Sequence, residues 1–570
     1  MLAYHETCGT DICSLLEENP TSESIFVRLA IGEDVAIRFL AEIAFANIES
    51  AGSGIFDLTG DIGSHAICEA DNESSGASSE TQLFYSDGGW TGRPDDIARP
   101  NIHYEDRLRD PASINKRIPY LPELGRRAQT QFGDIEAISS DGELDSLSSG
   151  STIDGRVIKL FVGDRDADFI EFAQILEVIG DDITIDGERI FFGIKNVSSL
   201  LDTPLQTSFY EGLGGITGDS GLAGRNRPLL FGDCFNVTPV LVNFDVLIYQ
   251  VHNGEVFAFD KVKDQGAALT WDGNDYPDYT ALRSAVIPAG QYATAKSIGM
   301  FRLGAIPNGT VTADVRGDVN AGVYTDQTAE ILQRLAFGPA FLVPGQLDLS
   351  GYNTLPTGGI GYYYSGSSEL DVSDVYDQLL RPFNGWYGQL NDSRLAVGVI
   401  DIPDAANSSW SFDSNDIIAI EESPVNAPPR YAQRVSYRKN WTPMALEDLA
   451  TGSLTGAEIE ALTSEKRWHD EQDQAVRQRF PGSERGPDIE SFFVDQEDAE
   501  LSARDRILNL LKGSLRLITF RTKLQALNVN LNTTGTITYP RFGLNAGAPG
   551  SVISVGINLA RSEIELGCLV

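Results

Sequence analysis

The chain has 570 residues, more than one hydrophobic core usually organises, and its 42% apolar content suffices for several cored domains. Its 82 Asp and Glu against 43 Lys and Arg give a formal net charge of -39, which argues against stable nucleic-acid binding, since that binding rests on Lys and Arg displacing counterions from phosphates. No apolar run approaches the ~18 residues of a membrane-spanning helix, and the start, MLAYHETCGTDICSLLEENP, lacks the basic-then-apolar pattern of a secretory signal. The expectation is a soluble chain that leaves a cell, if at all, by lysis or within a particle.

Residues 1–80 hold one helix-like amphipathic segment, near Ile25 to Ile48, followed by the polar linker EADNESSGASSETQ, which predicts an exposed loop. From Leu83 to about Gly345, short apolar runs are broken by Gly, Pro, Asn and Asp, as in RVIKLFVG, DDITIDGERIFFGI, PVLVNFDVLIYQVHNGEVFAF and GTVTADVRGD. Strands at that spacing leave no room for interleaved helices. DVSDVYDQLLRPFNGWYGQL then puts Val372, Val375, Leu379, Leu380 and Phe383 at helical spacing, and SRLAVGVIDIP (Ser393 to Pro403) reads as a strand. Residues 445–512 are the most helical and most charged, closing on AELSARDRILNLLKG with Gly513 just past the last apolar turn, as at a helix C-cap. TGTITYPRFGL, SVISVGINLA and SEIELGCLV return to strands. The class is α+β with a β majority. The expected division is an N-terminal extension (1–80), two β-rich domains (81–200 and 201–345), an α+β domain (346–445), a charged helical insertion (446–512) and C-terminal strands returning to the core (513–570).

Several segments imitate catalytic or ligand motifs. Gly218-Asp219-Ser220-Gly221 resembles the nucleophile loop of trypsin-like proteases, and His65 with Cys68 its histidine segment. Leu222 replaces the second glycine, however, and the histidine segment has the wrong order. GLGGITG lacks the G-x-G-x-x-G spacing of a dinucleotide loop. Asp164, Asp166 and Asp168 open like a calcium loop, but Phe169 stands at the turn glycine and Ile175 at the bidentate glutamate. Arg316-Gly317-Asp318 reads as a strand end and turn. Cys8, Cys13, Cys68, Cys234 and Cys568 are odd in number and scattered, which fits buried free thiols better than disulfides or a thiolate metal site. His5, His65, His103, His252 and His469 show no ligand spacing. No catalytic, cofactor-binding or metal residue is therefore assigned, although acidic pairs for a glycosidase are too numerous to single out. Tyr362-Tyr363-Tyr364 in GGIGYYYSGSS reads as packing or interface surface, or as a sugar-stacking loop.

Residues 90–165 carry WTGRPDD, NIHYEDRLRDP, QFGDIEAISSDGELDSL and IDGRVIKLFVG. Residues 204–318 carry PLQTSFYEGLGG, GRNRPLLFGDCFNVTPVLVN, IYQVHNG, DQGAALT, AGQYATA and FRLGAIPNGTVTADVRGD. DVYDQLLRPFNGWYGQLNDSRLAVGVIDIP, RYAQRVSYRKNWTP (Arg430 to Pro443), ITYPRFGL and VGINLA follow. In order and spacing these blocks resemble the tail-tip (baseplate) hub proteins of long-tailed, siphovirus-type bacteriophages and gene transfer agents, over most of the chain after residue 80. The first 80 residues do not align with that family.

The resemblance implies a multidomain baseplate-hub fold of tail-tube-like β-barrel and β-sandwich domains plus a smaller helix-containing region. It implies a homotrimer around the tail axis, without cofactor or enzymatic activity, that contacts the distal tail protein, tail tube, tape measure protein and tail fibre or tip proteins. Viral DNA would pass during ejection without stable binding. The acidity then has two readings, a conduit wall that does not retain phosphates or a surface kept soluble in a salty medium. The alternatives are a receptor- or carbohydrate-binding tip module, to which the tyrosine run points, and a tail-associated cell-wall hydrolase. Gly304, Pro307, Gly309 and Asp314 are expected to hold a strand-turn-strand. Arg225, Arg227, Arg430, Arg434, Arg438 and Lys439 are expected at subunit interfaces or paired with carboxylates.

Overall fold

The computed structural model describes residues 37–47, 80–111, 113–119, 127–147, 151–424, 428–513 and 515–570. The described chain is β-rich, with several sheets and a smaller helical part. Near the N-terminus, Ile37–Asn47 pairs with both Glu80–Ser86 and Val157–Asp164 in a ten-stranded sheet that continues through Ala173–Asp186 and Arg189–Lys195. This corrects the helical reading of Ile25 to Ile48 over residues 37–47; the rest of that segment, and most of the polar linker, lie outside the described residues. The physical reason is burial on both faces. Leu40 packs with Trp90, Tyr104 and Phe161 on one side, while Phe39, Ala41 and Ile43 enter the main core on the other. With buried apolar residues on both faces, Leu40 and Ala44 interrupt the alternation that Arg38 and Glu42 would otherwise show, so the period of two is blurred.

The middle of the chain forms a β-sandwich. Leu229–Val237, Val256–Asp264, Val311–Asn320 and Gly361–Tyr364 belong to a six-stranded sheet, and Val240–Asn243, Ile248–Gln250, Gln291–Ala295 and Met300–Leu303 to a five-stranded one. Leu230, Cys234, Val262 and Val315 from the first sheet meet Tyr249, Tyr292 and Phe301 from the second in a buried cluster. The alternation of these residues with polar ones along each strand is the period-two pattern of a half-covered sheet.

The helix Val372–Leu380 stands where the sequence places it, and Gly385–Gln389 and Leu395–Val399 form a hairpin after it. The charged stretch 445–512 holds the helices Gly456–Thr463, Gln474–Arg479 and Gln496–Leu501, the last continuing through a π turn at Ser502–Leu508. It also contains the strands Arg467–Gln472 and Glu484–Arg485, which flank Arg430–Tyr437. The last helical turn ends at Leu511 with Lys512 as its cap, and Gly513 follows directly, where the sequence places the helix end, though without a left-handed backbone. The C-terminal strands form an eight-stranded sheet that takes in Ser113–Arg117 and Gln129–Phe132 from far upstream. No helix among the described residues is long and apolar enough to cross a membrane.

Candidate functional site

The central six-stranded sheet presents a polar outer face. Its register sets Asp233 opposite Arg316, and Lys261 opposite Asp314, while Cys234, Val315 and Phe259 point to the sandwich core. The chain after Tyr437 crosses this outer face. Trp441 N–H donates to Phe235 O (3.3 Å), and Met444, Leu449 and Leu462 close over Phe235. Asn440 locks the crossing. Its Nδ2 donates to the carbonyls of Ala461 (3.1 Å), Leu462 (2.9 Å) and Ser464 (3.0 Å) at the end of Gly456–Thr463, and its Oδ1 accepts from Asn236 Nδ2 (2.8 Å) and Thr442 N–H (3.0 Å). One buried amide thus supplies the partners that a helix C-terminus lacks.

Between sheet and helix lies a cleft with two adjoining lobes of about 460 and 440 Å³, both lined by Phe235, Lys261, Asp314 and Arg438. The first lobe adds Lys263, Leu454, Glu458, Leu462 and Arg467. The second adds Asp233, Asp260, Lys439 and Asp495. At the floor the buried ammonium of Lys263 pairs with Asp314 and sits 4.3 Å from the centre of the Phe235 ring. Burial pulls that ammonium below its ordinary pKa, against the pull of Asp314. Asp314 also accepts from Asn236 N–H (2.9 Å). Burial, reinforced by Asp260 and Asp314, pushes the Asp233 carboxyl up to about 6, while Arg316 answers Asp260 at 2.9 Å. Lys439 lies over Trp441 (4.3 Å) and Phe492 (5.0 Å), and burial lowers its pKa. Cations on aromatic faces and paired carboxylates suit the binding of charge. No thiol or imidazole lines either lobe.

The residues singled out from sequence serve mainly as architecture. Gly304 and Gly309 lie in the connection between Met300–Leu303 and Val311–Asn320. There the Asp264 carboxylate accepts from Asn308 N–H (2.8 Å) and Gly309 N–H (2.9 Å). Arg316, Gly317 and Asp318 lie within the strand Val311–Asn320 rather than at a turn, and Arg334 holds Asp318 at 2.7 Å. The tyrosine run is a fully buried strand, in line with the packing reading and against the sugar-stacking loop. Its hydroxyls donate to Gln378 Oε1 (3.4 Å), Thr238 O (2.6 Å) and Ser368 O.

Ser220 is exposed on a short turn, and the neighbouring Asp219 carboxylate accepts the Phe244 N–H (2.9 Å). Asp168 pairs with Arg93 at 3.1 Å, and Asp164 accepts from Asp166 N–H (3.2 Å). Among the described residues no group of three His, Cys, Asp or Glu could hold a metal ion. His252 is buried and accepts the Leu230 N–H (2.9 Å), and burial lowers its pKa to about 4. His103 bonds Thr91, and His469 bonds Glu471. Cys234 and Cys568 are buried free thiols, their pKa values raised by burial. Cys8, Cys13, Cys68, His5 and His65 lie outside the described residues.

Of the six basic residues, Arg434 finds a carboxylate, Asp488 at 3.2 Å. Arg225 donates to the Ser365 carbonyl, and Arg227 to those of Phe209 and Ile216 while lying over Tyr210. Arg430 is buried near Glu484, and Arg438 and Lys439 rest on aromatic rings. The cleft was missed in the sequence because its parts are some 200 residues apart. Its one local signal is the charged run Asp260-Lys261-Val262-Lys263-Asp264, unusual within a strand.

No family model matches the chain, and no curated protein matches it. Several solved structures are similar to parts of it. A chain from the virion of a native gene transfer agent particle is 12% identical over 65% of this chain and 91% of its own, with a TM-score of 0.38. A 43 kDa tail protein of prophage MuSo2 from Shewanella oneidensis is 10% identical, covering 82% of this chain and 95% of its own, with a TM-score of 0.31. A tail protein from Neisseria meningitidis MC58 is 8% identical over 82% and 93%, with a TM-score of 0.29. The first comes from a virion, and the other two are tail proteins. The likenesses are slight, and function has to be read from the residues.

Proposed function

We propose that the chain is a structural virion protein, the baseplate hub at the distal end of a phage-type tail. In this role it joins the tail tube and distal tail ring to tip proteins as a homotrimer, with DNA passing along the axis and not bound. The observation that carries the reading is where the ordered sequence blocks fall. PLLFGDCFNVTPVLVN supplies the strands Leu229–Val237 and Val240–Asn243, and FRLGAIPNGTVTADVRGD supplies Met300–Leu303 and Val311–Asn320. GYYY pairs with the first of these strands. The residues that mark the blocks are spent on holding backbones together, which is what an assembly component requires. The tyrosine run, the one pointer to a carbohydrate-binding tip module, is buried packing and leaves that alternative without its support.

Antibody labelling of intact particles tests the placement. Label confined to the distal tail end is expected. Absence of the chain from particles, label along the whole tail, or peptidoglycan cleavage by the purified protein would contradict the reading.

A further inference from the structure

We propose that the cleft between the central sheet and the helix Gly456–Thr463 is a docking site for an acidic, partly apolar peptide segment of another protein. The first argument is charge. The chain has 82 carboxylates for 43 Lys and Arg, so carboxylates for pairing are plentiful. Yet the first lobe gathers Lys261, Lys263, Arg438 and Arg467 against Asp314 and Glu458. Lys263 is occupied by Asp314. Among the described residues, Lys261, Arg438 and Arg467 make no ion pair. Three unpaired cations gathered in one lobe of so acidic a molecule form a local site complementary to carboxylates that come from outside.

The second argument is shape and lining. Phe235, Leu454 and Leu462 give the first lobe an apolar floor, and about 460 Å³ is within the usual range for a ligand site. A bare anion would leave that floor wet. A segment with carboxylates spaced by apolar side chains covers it and meets the cations together. The adjoining lobe extends the cleft, and the carboxylates of Asp233, Asp260 and Asp495 there offer acceptors to peptide N–H groups. The same carboxylates repel the continuous phosphates of DNA, which favours a polypeptide over a nucleic acid.

The third argument is the backbone at Arg438. It holds φ at 50°, the left-handed region that a long side chain rarely adopts, and its N–H donates to Phe493 O (2.6 Å). The turn sets the guanidinium over Phe235, 5.4 Å from the ring centre, at the boundary of both lobes. Such backbone strain persists where the surroundings fix it, and it is frequent at binding sites.

The test uses the purified full chain and fluorescence anisotropy, and it does not depend on where the protein sits in a particle. The probes are fluorescein-labelled Gly-Leu-Glu-Ala-Leu-Glu-Gly and its counterpart with Gln for Glu. The Glu probe should bind saturably and at least ~10-fold more tightly than the Gln probe, and added salt should weaken it. Lys261→Glu and Arg467→Glu, both at accessible positions, should each reduce the affinity several-fold without shifting the thermal midpoint. Equal binding of the two probes, no binding, or charge reversal without effect would overturn the proposal. Displacement of the Glu probe by duplex DNA would replace the peptide with nucleic acid. Dissociation of an oligomer by Lys261→Glu would show that a second copy of the chain is the occupant, and would equally overturn it.

Discussion

At the scale of single residues, the tightest constraint is a seam of glycines on three adjacent strands. Gly232 pairs with Gly361 across one interface, and Gly317 packs on Gly232 across the other. A Cβ at Gly232 would lie 1.8 Å from Ile360 O, on a backbone with φ of 70°, and one at Gly317 would lie 2.3 Å from Gly232 N. Gly232→Ala therefore combines left-handed strain with a backbone clash and is expected to cost about 3 kcal/mol or more. Gly309 is exposed, has no left-handed φ, and would meet only the Gln265 side chain. Gly309→Ala is expected to change stability by no more than about 1 kcal/mol. Urea midpoints of the two variants check the order, and equal losses would refute it. Glycine-rich blocks thus signal architecture in the sequence, but which glycine lies at the close approach depends on pairing between strands more than 80 residues apart, and no local pattern carries that.

Lys116 carries a second prediction at this scale. Its ammonium is buried in the C-terminal sheet and donates to Asn391 Oδ1 (2.8 Å). Burial pushes its pKa down to about 7 from an ordinary 10.5, only partly offset by Asp392. Between those values the unfolded chain binds the proton that the folded chain releases, so stability rises with pH across the window from about 7 to 10.5 and is lowest, from this group, below it. Lys116→Met should flatten that rise. Midpoints measured at intervals from pH 7 to 10 check it, and an unchanged slope in the variant would contradict the assignment.

Among the elements, the helix Gly456–Thr463 is tied to the central sheet by Asn440, which is 2% exposed. Asn440→Ala removes the donor shared by the carbonyls of Ala461, Leu462 and Ser464 and leaves Asn236 Nδ2 with one acceptor fewer. Buried groups left without partners put the loss at about 2–4 kcal/mol. Hydrogen exchange of the 456–463 amides should accelerate before the rest of the chain opens; protection unchanged from the wild type would show that the Met444, Leu449 and Leu462 packing suffices alone. The elements differ in how far the sequence displays them. Val372–Leu380 is half-covered, so Val372, Val375 and Leu379 repeat at helical spacing and the helix is plain. Ile37 to Ala44 carries buried apolar residues on both faces, which blurs its period of two, so it reads as a helix. The tyrosine strand is hidden in the same way, its four residues all buried between glycine-rich flanks that suggest a loop.

For the whole molecule, residues far apart in sequence share sheets. Ser113–Arg117 lies beside Ala548–Asn558, and the segment after Tyr437 covers the face of strands begun at Leu229. Long-range pairing of this kind gives a high contact order, which slows folding. The net charge of -39 sets a mutual repulsion that must be overcome if copies are to meet. The proposed hub predicts that they do meet, as a closed ring that covers its sheet edges. The decisive measurement is the mass of the chain's assembly in cross-linked, purified particles. Three copies in one closed ring at the tail end are predicted; a monomer, or a ring of six, would contradict the account.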